Sequence, residues 1–309
     1  MTTLIAPAKL NLFLGVGSLR PDGHHAVTTV LVALDQGDSL EVVPARQLSV
    51  VCEPDIGVPE HENLAWRAAV AMGEAFGREP LFAIRIEKLI PAGAGLGGGS
   101  ADAAAVVAVI AAAWEADRED PRLEMVARSL GADVPFYLRG GCGVYAGRGD
   151  VLRRPLPVPA GHFAIAWPGV SVSTADAYAA FDALERAPLP APRDVTDAVC
   201  FHDAGALGRS LFNNMTLGTV GLVPVVGEAL ACMAAAEGCA GAAMAGSGSA
   251  VFGLFERSDR AEAAAASAHE RGWWSLTASP RAGGTLDETM GAARGADQGR
   301  RRHPGRRRR

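Results

Sequence analysis

Fifteen residues, Pro91 to Ala105, constrain this chain more than any others: P-A-G-A-G-L-G-G-G-S-A-D-A-A-A runs without a break into an Ala/Val-rich segment. Gly93, Gly95, Gly97, Gly98 and Gly99 fill five of seven consecutive positions, where a plain turn needs one or two. Such a run lets the backbone take positive φ and come close to a ligand, at an entropic cost that a structural turn has no reason to carry. Ala101 to Ala116 are almost all good helix formers, so Ser100 or Asp102 stands where an N-cap belongs. The unpaired N–H groups of the first turn and the positive end of the helix dipole would then suit a phosphate, with no charged side chain required.

Two other glycine-loop patterns fit less well. Gly93, Gly95 and Gly98 satisfy G-x-G-x-x-G, but a dinucleotide unit needs a hydrophobic strand after its helix, and here a second helix-like stretch follows at Pro121 to Leu130. Gly-Lys-Ser/Thr is absent, so any lysine that neutralises phosphate must come from elsewhere.

The 309 residues, 49% hydrophobic, suffice for two domains. We place them at 1–153 and 160–285, joined by the proline-bearing linker Arg153 to Pro159 and followed by a disordered arginine-rich tail, 286–309. No run of eighteen apolar residues and no basic-then-apolar start is present, which predicts a cytoplasmic protein with no membrane partner. The cysteines, Cys52, Cys142, Cys200, Cys232 and Cys239, are scattered and never spaced C-x-x-C, which suggests neither a disulfide frame nor a zinc site. Net charge is −5, but eight arginines fall within 294–309, and the remainder carries 21 basic against 33 acidic residues. An acidic body is a poor surface for nucleic acid, so no specific nucleic-acid partner is expected. The tail's closing stretch R-R-H-P-G-R-R-R-R has no apolar residues to pack and reads as a solvated appendage.

Taken in order, Thr3 to Val16 gives two strand-like pieces interrupted by Pro7, with Lys9 and Asn11 on one face. Arg20 to His25 is turn chemistry that presents His24 and His25 to opposite sides. Val27 to Val43 reads as strand, turn at Gln36 to Asp38, and strand; Leu48 to Cys52 is the next. Asn63 is the N-cap of a helix, and Phe82 to Leu89 alternates strictly and leads Lys88 toward the glycine loop. Gly131 ends the second helix, and Pro135 is expected to keep Val134 out of helical geometry, with Asp133 held in the break. The second half reads strand, helix, helix, strand, helix, strand, an α+β sandwich of ferredoxin-like type.

Four stretches together resemble the GHMP kinase superfamily, and within it the 4-diphosphocytidyl-2-C-methyl-D-erythritol kinases. They are P-A-K-L-N-L-F-L at Pro7 to Leu14, G-L-G-G-G-S-A-D-A at Gly95 to Ala103, L-G-A-D-V-P-F at Leu130 to Phe136, and G-S-G-S-A at Gly246 to Ala250. The resemblance covers most of residues 3–280 and implies a two-domain α+β fold, ribosomal-protein-like in the N-terminal half and ferredoxin-like in the C-terminal half. Substrate and ATP would meet between the halves. It implies Lys9 and Asp133 as the catalytic pair, and ATP-binding by Asn63, Lys88, Pro91, Gly93, Gly95, Leu96, Gly97, Gly98, Gly99 and Ser100. It further implies Mg²⁺ bridging the phosphates near Ser100, and substrate-binding by Asn11, His24, His25, Thr174 and Tyr178, with His25 reading the cytosine edge.

The implied reaction is phosphorylation of the 2-hydroxyl of 4-diphosphocytidyl-2-C-methyl-D-erythritol in non-mevalonate isoprenoid synthesis. Its partners would be ATP and that one small molecule, in a monomer or weak homodimer. A kinase for another small alcohol such as homoserine or mevalonate, or a silent nucleotide-binding regulator, are the alternatives. One departure stands out: the family usually has D-G-Y-H where this chain has Asp22-Gly23-His24-His25. An imidazole stacks over less area than a phenol ring, so weaker cytidine binding is expected.

Overall fold

The computed structural model describes residues 2–185, 188–287 and 289. Pro7 does not interrupt the first strand: β1 (Thr2–Leu19) pairs antiparallel with β2 (His25–Pro44), and the chain reverses at residues 20–24 as expected. The expected turn at Gln36 to Asp38 is not formed. Gly37 lies opposite Pro7, where a Cβ would sit 1.9 Å from the Ala6 carbonyl oxygen, and the register slips between Pro7 and Lys9. A residue without an N–H and one without a side chain meet at a bulge, so both strands run on through it.

The N-terminal half continues with β3 (Ser49–Glu53), α1 (Leu64–Phe76), β4 (Phe82–Glu87), α2 (Gly98–Ala113), α3 (Pro121–Leu130), α4 (Val134–Arg139), β5 (Cys142–Ala146) and β6 (Val151–Leu156). The far edge of β2 is shared, Thr29–Val32 pairing with β5 and Ser39–Pro44 with β4. Helices α1 to α4 cover one face of this sheet, where Met72, Ile110 and Phe136 pack with Leu31, Leu40 and Ile84. The expected linker is shorter than Arg153 to Pro159, because Arg153 to Leu156 belong to β6 and pair with β5. Pro155 is tolerated there because an edge strand has one side with no ladder to complete.

The C-terminal half comprises β7 (His162–Trp167), α5 (Thr174–Asp182), α6 (Arg193–Cys200), α7 (Ala204–Ser210), β8 (Phe212–Asn213), α8 (Thr216–Leu222), α9 (Val225–Ala235), β9 (Cys239–Met244), β10 (Val251–Phe255), α10 (Ser258–Glu270) and β11 (Trp274–Ala278). Its sheet is antiparallel in the order β11-β7-β10-β9, the ferredoxin-like arrangement. Alternation along the strands serves two layers. Phe163, Ile165, Phe252 and Leu254 face Leu10, Leu12, Val30 and Val32 of the larger sheet, while Ala164, Ala166, Val251 and Phe255 face the outer helices. The two-residue β8 crosses over to lie parallel to β1 at Phe13 and Leu14.

After β11 the chain turns back onto the N-terminal half. Pro280 bridges to Leu34, and the Arg281 N–H donates to the Ala33 carbonyl at 2.9 Å. A boundary at 286 is therefore too early: Leu286 joins the core under α2 and α4, and Thr289 is buried. Thr285 Oγ1 donates to the Tyr137 carbonyl at 3.2 Å. The arginine run lies outside the described residues. Among the described residues no helix is long and apolar enough to cross a membrane.

Leu286 is 8% exposed in this core. Leu286→Ala should lower unfolding stability by about 2–4 kcal/mol through lost transfer energy and the cavity left behind. An unchanged urea midpoint would mean that the returning segment adds nothing to the core.

Candidate active site

A cleft of 620 Å³ opens between the glycine loop, β1, β2 and α5. One wall is the loop itself, from Pro91 through Gly93, Gly95, Gly97, Gly98 and Gly99 to Ser100. Gly93, Gly95 and Gly97 have φ of 73°, 83° and 77°, so three of the five glycines are required by conformation. A Cβ on Gly95 would stand 2.3 Å from the Ala245 carbonyl oxygen, where the loop lies against the 246–249 turn. Neither Ser100 nor Asp102 caps α2: the N-cap is left-handed Gly97, which has no side chain to occupy the first-turn N–H groups. Both polar residues fall inside the helix because it starts at Gly98, earlier than their polarity suggests.

Opposite the loop, two of the three register shifts between β1 and β2, at Pro7/Lys9 and Asn11/Phe13, bracket Lys9 and Asn11. Lys9 Nζ donates to Asn11 Oδ1 at 2.6 Å, and Asn11 Nδ2 donates to Thr29 Oγ1 at 2.9 Å. The Gly246 N–H donates to the same Asn11 oxygen at 3.1 Å. Asn11 thus spends its side chain on aiming the ammonium. Lys9 Nζ lies 3.9 Å from Asp133 Oδ2. Burial pushes the Lys9 ammonium below its ordinary value, and the Asp133 charge offsets part of that. Asp133 is the N-cap of α4 and makes no capping hydrogen bond, while its side chain stays 36% exposed. Val134 is helical after all, because Pro135 sits in the first turn of α4, where a missing N–H costs nothing.

Lys88 reaches the cleft lining, yet its ammonium is consumed below the loop by Asp38 and by Asp102 Oδ2 at 2.8 Å. Asp38 Oδ1 also accepts the N–H groups of Leu89 and Ile90 at 2.7 and 2.8 Å. Burial opposes the charge on Lys88, but Asp102 and Asp38 together hold it above its ordinary value. Asn63 lines the cleft and caps α1 as expected, its Oδ1 accepting the Ala65 N–H at 2.9 Å and its Nδ2 donating to Cys52 Sγ at 3.3 Å. Thr174 and Tyr178 of α5 form the far end of the cleft.

Leu96, His24 and His25 are not brought to the cleft lining. The Leu96 side chain is buried in the core. His24 is exposed, its Nδ1 within 3.1 Å of the Asp22 carbonyl. His25 points inward and His24 outward, opposite directions as the alternation implied, but His25 sits behind Tyr178 with ring centroids 5.1 Å apart. Its nitrogens contact the Gly17 carbonyl at 2.8 Å and Asp182 Oδ2 at 3.2 Å. Sequence reasoning passed over Thr29 and Arg148, which line the cleft together with Ser247 of the G-S-G-S-A stretch. Only the G-R-G-D turn around Arg148 offered a local signal.

The description "GHMP kinases N terminal domain" matches residues 63–141, and "GHMP kinases C terminal" matches 195–272. The chain is 39% identical over 281 residues to the 4-diphosphocytidyl-2-C-methyl-D-erythritol kinase of Cereibacter sphaeroides, covering 89% of this chain and 97% of that protein. It is 38% identical over 268 residues to the Nocardia farcinica protein of the same name, covering 84% and 87%. A crystal structure of 4-(cytidine 5'-diphospho)-2C-methyl-D-erythritol kinase superposes with TM-score 0.76 at 35% identity, covering 90% of this chain and 99% of the other. Homoserine kinase from Cytophaga hutchinsonii, at TM-score 0.69 and 19% identity over 92% and 95%, shares the fold.

Burial pushes the Asp102 carboxyl up to about 7, with Lys88 opposing the rise and Asp38 adding to it. The folded chain then keeps a proton that unfolded Asp102, at its ordinary 3.8, releases. Stability from that proton is full below the unfolded value and is lost as pH rises through the folded one. Asp102→Asn replaces the carboxyl with a group that never ionises. The melting-point difference, wild type minus variant, should therefore fall between pH 4 and pH 7 and level off above. An equal difference at both ends would count against the raised value.

Proposed function

The chain belongs to the 4-diphosphocytidyl-2-C-methyl-D-erythritol kinases of the GHMP kinase family, and we propose that Lys9 and Asp133 carry the transfer of the terminal phosphate of ATP to the 2-hydroxyl of that alcohol. The observation that carries this reading is the ammonium–carboxylate pair 3.9 Å apart in a cleft walled by the glycine loop. Asp133, half-exposed and free of any capping role, accepts the hydroxyl proton as the oxygen–phosphorus bond forms. Lys9 steadies the negative charge that gathers on the same oxygen. The first-turn N–H groups after Gly97, together with the helix dipole, hold the phosphates in line.

Among the described residues no cluster of three or more His, Cys, Asp or Glu side chains could enclose a metal ion. Mg²⁺ would arrive with the nucleotide, and Ser100 in the cleft wall is the residue whose hydroxyl would help hold it. When bound, Mg²⁺ supplies charge neutralisation at the phosphates.

At the far end, Tyr178 offers the ring on which cytosine stacks, and His25 fixes that ring from behind. Arg148 supplies the cation that the substrate diphosphate needs on that side. His24 is solvent-facing and outside the lining, so His24→Tyr is expected to leave the KM for the cytidylyl alcohol unchanged, against the weaker binding expected from the sequence. Lys88 and Asn63 act on the nucleotide end by holding its walls, since their polar atoms are already engaged.

The deciding experiment is ATP turnover by the full chain with Mg²⁺, comparing the cytidylyl alcohol with homoserine and mevalonate. Activity on the cytidylyl alcohol alone is expected. Asp133→Asn should lower kcat by about 100-fold or more, with ATP binding retained. Wild-type turnover in that variant removes Asp133 as the base, and preference for another alcohol removes the pocket assignment.

A further inference from the structure

Three parts of the cleft meet at one backbone oxygen. The Leu96 carbonyl accepts the Lys9 N–H at 3.1 Å and the Tyr137 hydroxyl at 3.1 Å. Lys9 lies on β1, Leu96 in the glycine loop, and Tyr137 on α4, the helix that begins beside Asp133. Tyr137 is fully buried, its ring edge-on to Phe136 with centroids 5.2 Å apart. Its hydroxyl occupies the space in front of Gly97, where a Cβ would stand 2.0 Å away. Gly97 is the left-handed residue from which α2 starts. The Leu96–Gly97 peptide is thus held at its oxygen by two donors and covered at its Cα by the phenol.

That peptide sets the direction of every N–H that follows in the first turn. Burial, with the charges of Asp133, Asp102 and Asp38 behind it, holds the phenol far above its ordinary range. The hydroxyl therefore stays protonated and donates.

We propose that Tyr137 is a positioning residue for phosphoryl transfer, its hydroxyl fixing the Leu96–Gly97 peptide so that the loop N–H groups and the Lys9 strand keep one orientation toward the phosphates. This rests on the kinase reading above. Removing the hydroxyl leaves Leu96 O with its Lys9 donor, so no buried group is orphaned and stability should change little. What is lost is a restraint on the loop.

The test compares the full-length wild type with Tyr137→Phe and with Tyr145→Phe. The second variant makes the same chemical change at a buried tyrosine that packs on Phe136 away from the cleft. For each, the melting temperature, the ATP dissociation constant by calorimetry, and kcat with KM for both substrates are measured. In Tyr137→Phe the ATP constants should rise about two- to ten-fold, the worth of one hydrogen bond. Its kcat should fall as well, while KM for the alcohol and the melting temperature stay near wild type. Tyr145→Phe should leave the ATP constants alone. Wild-type ATP constants and kcat in Tyr137→Phe, the same pattern in both variants, or a Tyr137→Phe chain that does not fold would each overturn the proposal. If the wild type turns over no alcohol while Tyr137→Phe alone binds ATP more weakly, the hydroxyl's hold on the nucleotide loop stands, and its part in phosphoryl transfer falls with the kinase reading.

Discussion

Burying the Lys9 ammonium until only 4% of the residue is exposed costs several kcal/mol unless partners replace its water. Those partners come from places far apart in sequence. Asn11 stands on the same strand, Thr29 and Gly246 hold Asn11, and Asp133 enters at the start of α4. The irregularities of the larger sheet follow from this requirement. Register shifts on either side of Lys9 and Asn11 turn both residues out of the regular ladder, and Gly37 yields the room that Pro7 needs beside them.

Lys88 is the instructive contrast. It is also almost fully buried, yet Asp38 and Asp102 both accept from it, and Asp38 is further engaged by two backbone N–H groups. Such a charge is compensated and has nothing left for a ligand, so it ties β2, β4 and α2 together. Lys9 has an amide and one half-exposed carboxylate, which leaves donor capacity toward the cleft. Partner number, more than burial, separates the lysine that can react from the lysine that supports.

Features whose cause is local were legible in the sequence. The glycine loop and the Asn63 cap rest on neighbours within a few residues. The rest depended on distant partners. Gly37 beside Asp38 has turn composition, and only pairing with Pro7 makes it a bulge. Asp102 has N-cap composition, and only Lys88 explains why it lies inside α2. Alternation sends His24 and His25 to opposite sides but shows neither which turns inward nor that Asp182 and Gly17 would occupy the His25 nitrogens. Leu286 follows a run of small and polar residues, so nothing nearby marks it as core.

The returning segment at 280–287 has a consequence for synthesis. The N-terminal half receives β8 from the middle of the second half and Leu286 from close to the end of the described chain. When that half leaves the ribosome it lacks a strand on one sheet edge and a side chain in its core. Chains emerging N-terminus first usually complete domains in that order. Here the first half must wait for the second, so the nascent chain carries an unfinished hydrophobic surface until residues 280–286 have emerged.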